Sequence, residues 1–125
     1  NDGVLMEPTV LLEDNTWQTK KEILPLKKED IQVVKEGLRQ GVLVGTASGL
    51  NIPEVAVAAK TGTAELGFSK QFVNSWVTGF FLYENPRFAF VVIMEKGPRA
   101  NTIGAAYIKR QLLEWLAANR PEYLK

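Results

Sequence analysis

Val55-Ala56-Val57-Ala58-Ala59-Lys60-Thr61-Gly62-Thr63 is the stretch on which the fold turns. Bulky and small residues alternate up to Lys60, a period of two that reads as a β-strand, and the run closes on an ammonium group, two hydroxyls and a glycine. Taken alone, the Lys-Thr-Gly triplet has two readings. In one, Lys60 is a solvated lysine at a strand end and Gly62 is a bulge. In the other, the Thr61 and Thr63 hydroxyls flank the gap at Gly62, where a ligand backbone approaches beside the Lys60 charge. Such donors suit a carboxylate or an anionic peptide end.

Downstream, Asn74 to Tyr83 and Arg87 to Glu95 are rich in aromatic and β-branched residues, and Glu84-Asn85-Pro86 joins them as a tight turn. They read as an antiparallel hairpin, ended by Lys96-Gly97-Pro98-Arg99. A last helix is expected from Asn101 or Thr102, either of them the N-cap, to Asn119, with Ala105, Ile108, Leu112 and Leu116 on its core stripe and Pro121 as its stop. Upstream, Ile31, Val34, Leu38 and Val42 recur at helical steps and predict an amphipathic helix from Lys28 to about Leu43. Its other face carries Lys28, Glu29, Lys35, Glu36 and Arg39. Gly45-Thr46-Ala47-Ser48-Gly49 is then a small-residue loop. Before the helix, Asn1-Asp2-Gly3 reads as a turn, Val4 to Leu12 as an edge or irregular strand containing Pro8, and Glu13 to Glu22, around Trp17, as a surface loop or hairpin. The expected fold is α+β (mixed α/β), an antiparallel sheet packed by helices.

Composition removes whole classes of chemistry. The 125 residues contain no histidine and no cysteine, so a Ser-His or Cys-His couple, a thiolate nucleophile, a disulfide and an N/S zinc site are all excluded within them. A general base here is a carboxylate, a lysine or a tyrosine. With Lys+Arg 15 against Asp+Glu 14, the charge gives no reason to expect nucleic acid. No run approaches the roughly 18 apolar residues that span a bilayer, so any membrane attachment is expected through an anchor outside this chain. The first residue is Asn1 rather than Met, so a processed or trimmed chain is expected, whose start need not be a domain boundary.

With its flanks, Ala58-Ala59-Lys60-Thr61-Gly62-Thr63-Ala64-Glu65 resembles the third active-site motif of penicillin-binding proteins. Asn1-Asp2-Gly3-Val4-Leu5 with Pro8 is similar to the Asn-Gly-Gly…Pro stretch of transpeptidase domains. Val34 to Leu38 followed by Gly45-Thr46-Ala47 is similar to that family's helix and Gly-Thr-Ala loop. Ser75-Trp76-Val77-Thr78-Gly79-Phe80 and Glu84-Asn85-Pro86-Arg87 are similar to its next strand and hairpin turn. The resemblance covers nearly the whole chain in the family's order.

It implies a serine acyl-transfer enzyme whose nucleophile lies in a Ser-x-x-Lys motif, with a second Ser-x-Asn motif across the cleft. Ser48, Ser69 and Ser75 are the only serines, and none has Lys three or Asn two positions later. Residues 1–125 are therefore expected to be the C-terminal portion of one transpeptidase domain, inactive alone, whose missing N-terminal portion carries both motifs. By resemblance, Lys60 would contact the Ser-x-Asn serine and the substrate carboxylate, the Thr61 and Thr63 hydroxyls would bind that carboxylate at the Gly62 gap, and the Thr63 N–H would be one oxyanion-hole donor. Strict alternation sets Lys60 and Gly62 on one face and Thr61 and Thr63 on the other, so the strand is expected at a sheet edge, bordering the cleft.

The resemblance implies a class B, elongation-type D,D-transpeptidase that acts on the D-Ala-D-Ala end of peptidoglycan stem peptides, binds β-lactams covalently, needs no cofactor or metal, and sits on the extracytoplasmic face of the bacterial cell membrane. The subtype rests on the Pro121-Glu122-Tyr123 ending and the Tyr83 to Arg87 hairpin. A β-lactam sensor domain and a serine β-lactamase are the alternatives. The sheet should also expose an apolar face where the rest of the domain packs. Trp76 and Phe80 are expected in the core, and Glu65 as a solvated loop carboxylate.

Overall fold

The computed structural model describes residues 3–7, 21–100 and 104–125. Residues up to Val34 and those from Lys35 onward form two compact units. In the first, β1 (Val4–Met6) and β2 (Lys21–Ile23) pair antiparallel, with Val4 opposite Ile23, and the Gly3 carbonyl accepts the Leu24 N–H at 2.9 Å. Of the expected strand from Val4 to Leu12 only Val4–Met6 is described as strand, and the loop or hairpin expected over Glu13 to Glu22 lies mostly outside the described residues. The Asn1-Asp2 turn, the run from Pro8 to Leu12 and Trp17 lie outside the described residues.

Helix α1 (Lys28–Leu43) has the expected bounds, but its buried line differs. Val42 is buried and Ile31 and Leu38 are half-buried, whereas Val34 is 62% exposed. The line steps from Ile31 to Lys35 instead, which is half-buried with its Nζ 5.8 Å from the Tyr83 ring centroid. A long lysine stem covers apolar surface as readily as a valine does. Gly41 is where α1 approaches the next strand, since a Cβ there would stand 2.8 Å from the Ala59 carbonyl oxygen.

After a short 3-10 turn at Ser48–Leu50, β3 (Val57–Leu66), β4 (Phe72–Phe81) and β5 (Phe88–Pro98) form an antiparallel sheet in that order. β3 runs three residues past Thr63, up to Gly67, whose φ of +70° makes the turn. Helix α2 (Ala105–Asn119) has Gly104 as its N-cap; Asn101 and Thr102 lie outside the described residues. The Ser75 hydroxyl, across in β4, accepts the Ala105 N–H at 3.0 Å and satisfies one of the orphan donors of the first turn. A second 3-10 turn, Pro121–Leu124, follows the helix.

The core lies between one face of the sheet and α2. Val57, Ala59, Val77 and Phe81 meet Ala105 and Leu113, with Val42, Ala47 and Leu50 closing one side. Ile108 and Leu112, expected on the core stripe, are exposed; the inward line is Ala105, Lys109 and Leu113. Around Trp76 the opposite sheet face is apolar and exposed: Trp76, 40% exposed, stands beside Ile93, and Val91 is exposed at the next pair on that face, whereas Ala58 further along is buried. Trp76 is thus not core, and Phe80 stacks on Tyr83 at 6.2 Å rather than joining the core cluster. No helix among the described residues is long and apolar enough to cross a membrane.

Candidate active site

Among the described residues β3 has a neighbouring strand on one side only, so no strand covers its outer edge at Lys60 to Thr63, as expected of an edge strand. Which backbone groups face that edge follows from their partners. The Val57 carbonyl accepts from Arg39 Nη1 at 2.8 Å and the Thr61 carbonyl from Lys60 Nζ at 2.6 Å, while the Ala56 carbonyl accepts the Tyr83 N–H on the β4 side. In an antiparallel strand the N–H and C=O of one residue point the same way, and the direction alternates along the chain. Odd-numbered residues of β3 therefore turn their polar backbone outward, and Thr63 is one of them. Its N–H lies on the open edge, free of the β4 ladder.

Side chains follow the same parity. Opposite Val77 and Ser75, Thr61 and Thr63 share the α2 face, while Lys60 and Gly62 lie on the other, opposite Thr78 and Trp76. The Lys60 stem bends to the edge, which is how its ammonium reaches the Thr61 carbonyl. Thr61, Gly62 and Thr63 line a cavity of about 730 Å³, together with Thr46, Glu65, Ser75, Arg99, Tyr107 and Arg110. Lys60 borders the cavity without lining it. Within it, Thr46 Oγ1 and Thr61 Oγ1 are 2.6 Å apart. Glu65 pairs with Lys70 at 2.8 Å and Arg99 at 3.0 Å, and Arg110 bonds Glu114 at 2.7 Å and the Gly49 carbonyl at 3.3 Å.

Three of the four sequence-predicted site residues thus meet in one cavity, and the fourth stands at its rim. Register through Gly62 is continuous, with Trp76 opposite, so the bulge reading fails. A Cβ on Gly62 would meet Trp76 Cβ at 3.5 Å, ordinary contact, so no described neighbour demands a glycine there. Glu65 is a strand residue in two ion pairs, not a loop carboxylate. Thr46, Ser75, Tyr107 and Arg110 were not assigned to the site from sequence, because three other elements bring them to it. The one available signal was the 3-residue spacing of Tyr107 and Arg110, which sets them on one helix face. Among the described residues no cluster of three metal-ligating side chains occurs. Among the described residues Lys109 of α2 is the buried charged side chain; burial pushes its amine below the ordinary lysine range, and its Nζ stands 4.7 and 4.3 Å from the Phe81 and Phe90 centroids.

Residues 1–114 match the family model described as the penicillin-binding protein transpeptidase domain. Among solved structures, the D,D-transpeptidase domain of a peptidoglycan glycosyltransferase from Eggerthella lenta is 27% identical, with a TM-score of 0.70 over 96% of this chain and 30% of that one. Penicillin-binding protein A from Mycobacterium tuberculosis, solved as an imipenem acyl-enzyme complex, is 28% identical, with a TM-score of 0.60 over 77% of this chain and 21% of that one. The transpeptidase domain of Burkholderia pseudomallei penicillin-binding protein 3 shares the fold at 20% identity, with a TM-score of 0.69 over 96% of this chain and 39% of that one. The chain therefore spans about a third or less of the first two structures it matches. No curated protein matches it.

Proposed function

Because the chain belongs to the penicillin-binding protein transpeptidase domain family, we propose that it is the C-terminal portion of such a domain and forms one wall of a serine acyl-transfer site. The observation that carries this reading is the open β3 edge, where the outward Thr63 N–H stands beside the Thr61 and Thr63 hydroxyls and the Lys60 ammonium. One short edge thus offers a donor for a developing oxyanion and a cradle for a carboxylate.

The nucleophilic serine comes from outside these residues, in a Ser-x-x-Lys motif. Its Oγ attacks the carbonyl between the two D-Ala residues of a stem peptide, an ester forms, and the terminal D-Ala leaves with a proton. The amine of a neighbouring stem peptide then attacks the ester and cross-links the two strands. The Thr63 N–H donates to the carbonyl oxygen as it becomes negative, a contribution of about 3 kcal/mol for one such donor. Lys60, Thr61 and Thr63 hold the terminal carboxylate, a charge-assisted arrangement. A β-lactam carries an equivalent carbonyl and carboxylate and acylates the serine in place of the peptide, its ring C–N bond breaking and the ring nitrogen taking the proton. The exposed face around Trp76, Val91 and Ile93 suits packing by the rest of the domain. We place the intact enzyme on the extracytoplasmic face of the bacterial cell membrane, where its substrate lies, and assign it to the class B, elongation type from the Tyr83 to Arg87 hairpin and the Pro121-Glu122-Tyr123 ending.

The test is the second-order rate at which benzylpenicillin acylates the full-length protein. Lys60→Ala should lower it roughly ten- to a hundredfold, the value of losing a hydrogen bond to a charged group. An acylation rate that Lys60→Ala leaves unchanged would remove Lys60 from the site.

A further inference from the structure

We infer that Thr46 is a positioning residue for carboxylate recognition: its hydroxyl donates to Thr61 Oγ1 and leaves the Thr61 proton free for an anionic ligand. This rests on the acyl-transfer reading above and deepens it, since it names what sets the orientation of one carboxylate-binding hydroxyl.

The two Oγ1 atoms are 2.6 Å apart, 15 residues apart in sequence, and both line the cavity at the β3 edge. Neither hydroxyl has another hydrogen-bond partner among the described residues. A threonine hydroxyl has one proton and two acceptor positions, so the direction of this bond matters. If Thr61 donated, its only proton would be spent on Thr46 and its oxygen would face a carboxylate as a second acceptor. If Thr46 donates, the bond runs from Thr46 to Thr61 and on to the carboxylate. Each donor in such a chain polarises the next, and the anion is what selects this direction.

Thr46 is well placed for that task because its loop is fixed from both sides. The next residue, Ala47, is buried in the core, and its N–H donates to the Gly41 carbonyl at 3.0 Å. The Ser48 N–H closes the loop onto the Gly45 carbonyl at 3.2 Å. The Cβ of Thr46 is thereby held, and only χ1 and the hydroxyl rotor remain to be set. A hydroxyl on an anchored loop that touches a binding residue, itself outside the motif, is how a site's geometry is held from behind.

The experiment compares benzylpenicillin with its methyl ester, which lacks the carboxylate charge, on the full-length protein and its Thr46→Val, Thr46→Ser, Thr61→Val and Thr46→Val/Thr61→Val variants. With the acid, Thr46→Val should lower the second-order acylation rate about tenfold, chiefly through weaker binding, the value of one hydrogen bond to a charged network. Thr46→Ser should restore it to within about twofold. The double variant should be no slower than Thr61→Val alone, and with the ester Thr46→Val should match the wild type. Equal losses with acid and ester, or losses that add in the double variant, would mean that Thr46 merely supports the fold and would overturn the assignment. So would an unchanged Thr46→Val rate on a protein that is normally acylated. A wild-type protein that benzylpenicillin does not acylate would overturn the acyl-transfer reading itself, and the role of Thr46 with it.

Discussion

Lys109→Met should leave the protein at least as stable as the wild type, and Lys109→Ala should not. Lys109 is 3% exposed on the inner line of α2, and it belongs to no ion pair among the described residues. Its ammonium faces the Phe81 and Phe90 rings at 4.7 and 4.3 Å, each worth about 1–2 kcal/mol to a desolvated cation. Removing an ammonium from water costs several kcal/mol, so the rings offset that cost without exceeding it. Methionine keeps the length of the side chain, and its sulfur against a ring recovers about 1 kcal/mol. We expect Lys109→Met to fall between no change and about 2 kcal/mol of added stability, from relief of the buried charge. Lys109→Ala leaves a cavity and should lose about 2–4 kcal/mol.

The sign of the pH dependence follows from the same burial. The native amine is held below the ordinary lysine range, so between that depressed value and the ordinary one the unfolded chain binds more protons than the native protein. Stability from this group therefore rises as pH rises through the depressed value, and levels off once the unfolded chain is also neutral. Urea denaturation at neutral pH and at about pH 10, with the slope m held constant, reads both effects. In Lys109→Met the slope with pH should be smaller. A loss above about 2 kcal/mol for Lys109→Met at neutral pH would show that the charged contacts outweigh desolvation, and the reasoning would fail.

Other substitutions probe the supports of the site. Ser75→Ala removes the acceptor for the Ala105 N–H and should cost about 1 kcal/mol by urea denaturation, the value of a lost helix cap. Gly41→Ala sets a Cβ 2.8 Å from the Ala59 carbonyl oxygen and should cost about 1–3 kcal/mol, despite the better helix propensity of alanine. The Glu36 carboxyl is held below the usual range, first by the bond from Gln40 and then by that from Tyr83. Tyr83→Phe should move its titration, followed by carboxyl NMR, back up toward that range. Because its pKa is depressed in the folded state, Glu36 favours the fold at neutral pH and loses that contribution as pH falls through the depressed value, an acid dependence that Tyr83→Phe should weaken.

Sequence reading worked where one periodic signal acted without competition. Helix α1 begins at Lys28 and ends at Leu43 as expected, since its polar start and the glycines near its end both mark it. The hairpin of β4 and β5 followed from two β-rich runs around one turn. Side-chain facing was harder to read, because α2 is apolar on more than one side. Ile108, Leu112 and Trp115 point outward, while Lys109, which a charge-based reading would turn to solvent, points inward with Ala105 and Leu113. Trp76 failed for a related reason: alternation assigns it to a sheet face, but whether anything covers that face is decided elsewhere in the fold. At the candidate site, Lys60 to Thr63 stood out because an ammonium group, two hydroxyls and a glycine are adjacent in sequence, and three of the four line one cavity. Thr46 and Arg110 come from a loop and a helix far away in the chain, and only tertiary packing, of Thr46 on Thr61 and of α2 on the rest of the fold, brings them there.

If these residues form one wall of an acyl-transfer site, the nucleophile lies elsewhere. Labelling with fluorescent penicillin, followed by peptide mapping of the adduct, tests it most directly. The full-length protein should be labelled on a serine of a Ser-x-x-Lys motif outside residues 1–125, and the 125-residue chain alone should not be labelled. An adduct on Ser48, Ser69 or Ser75 would contradict it.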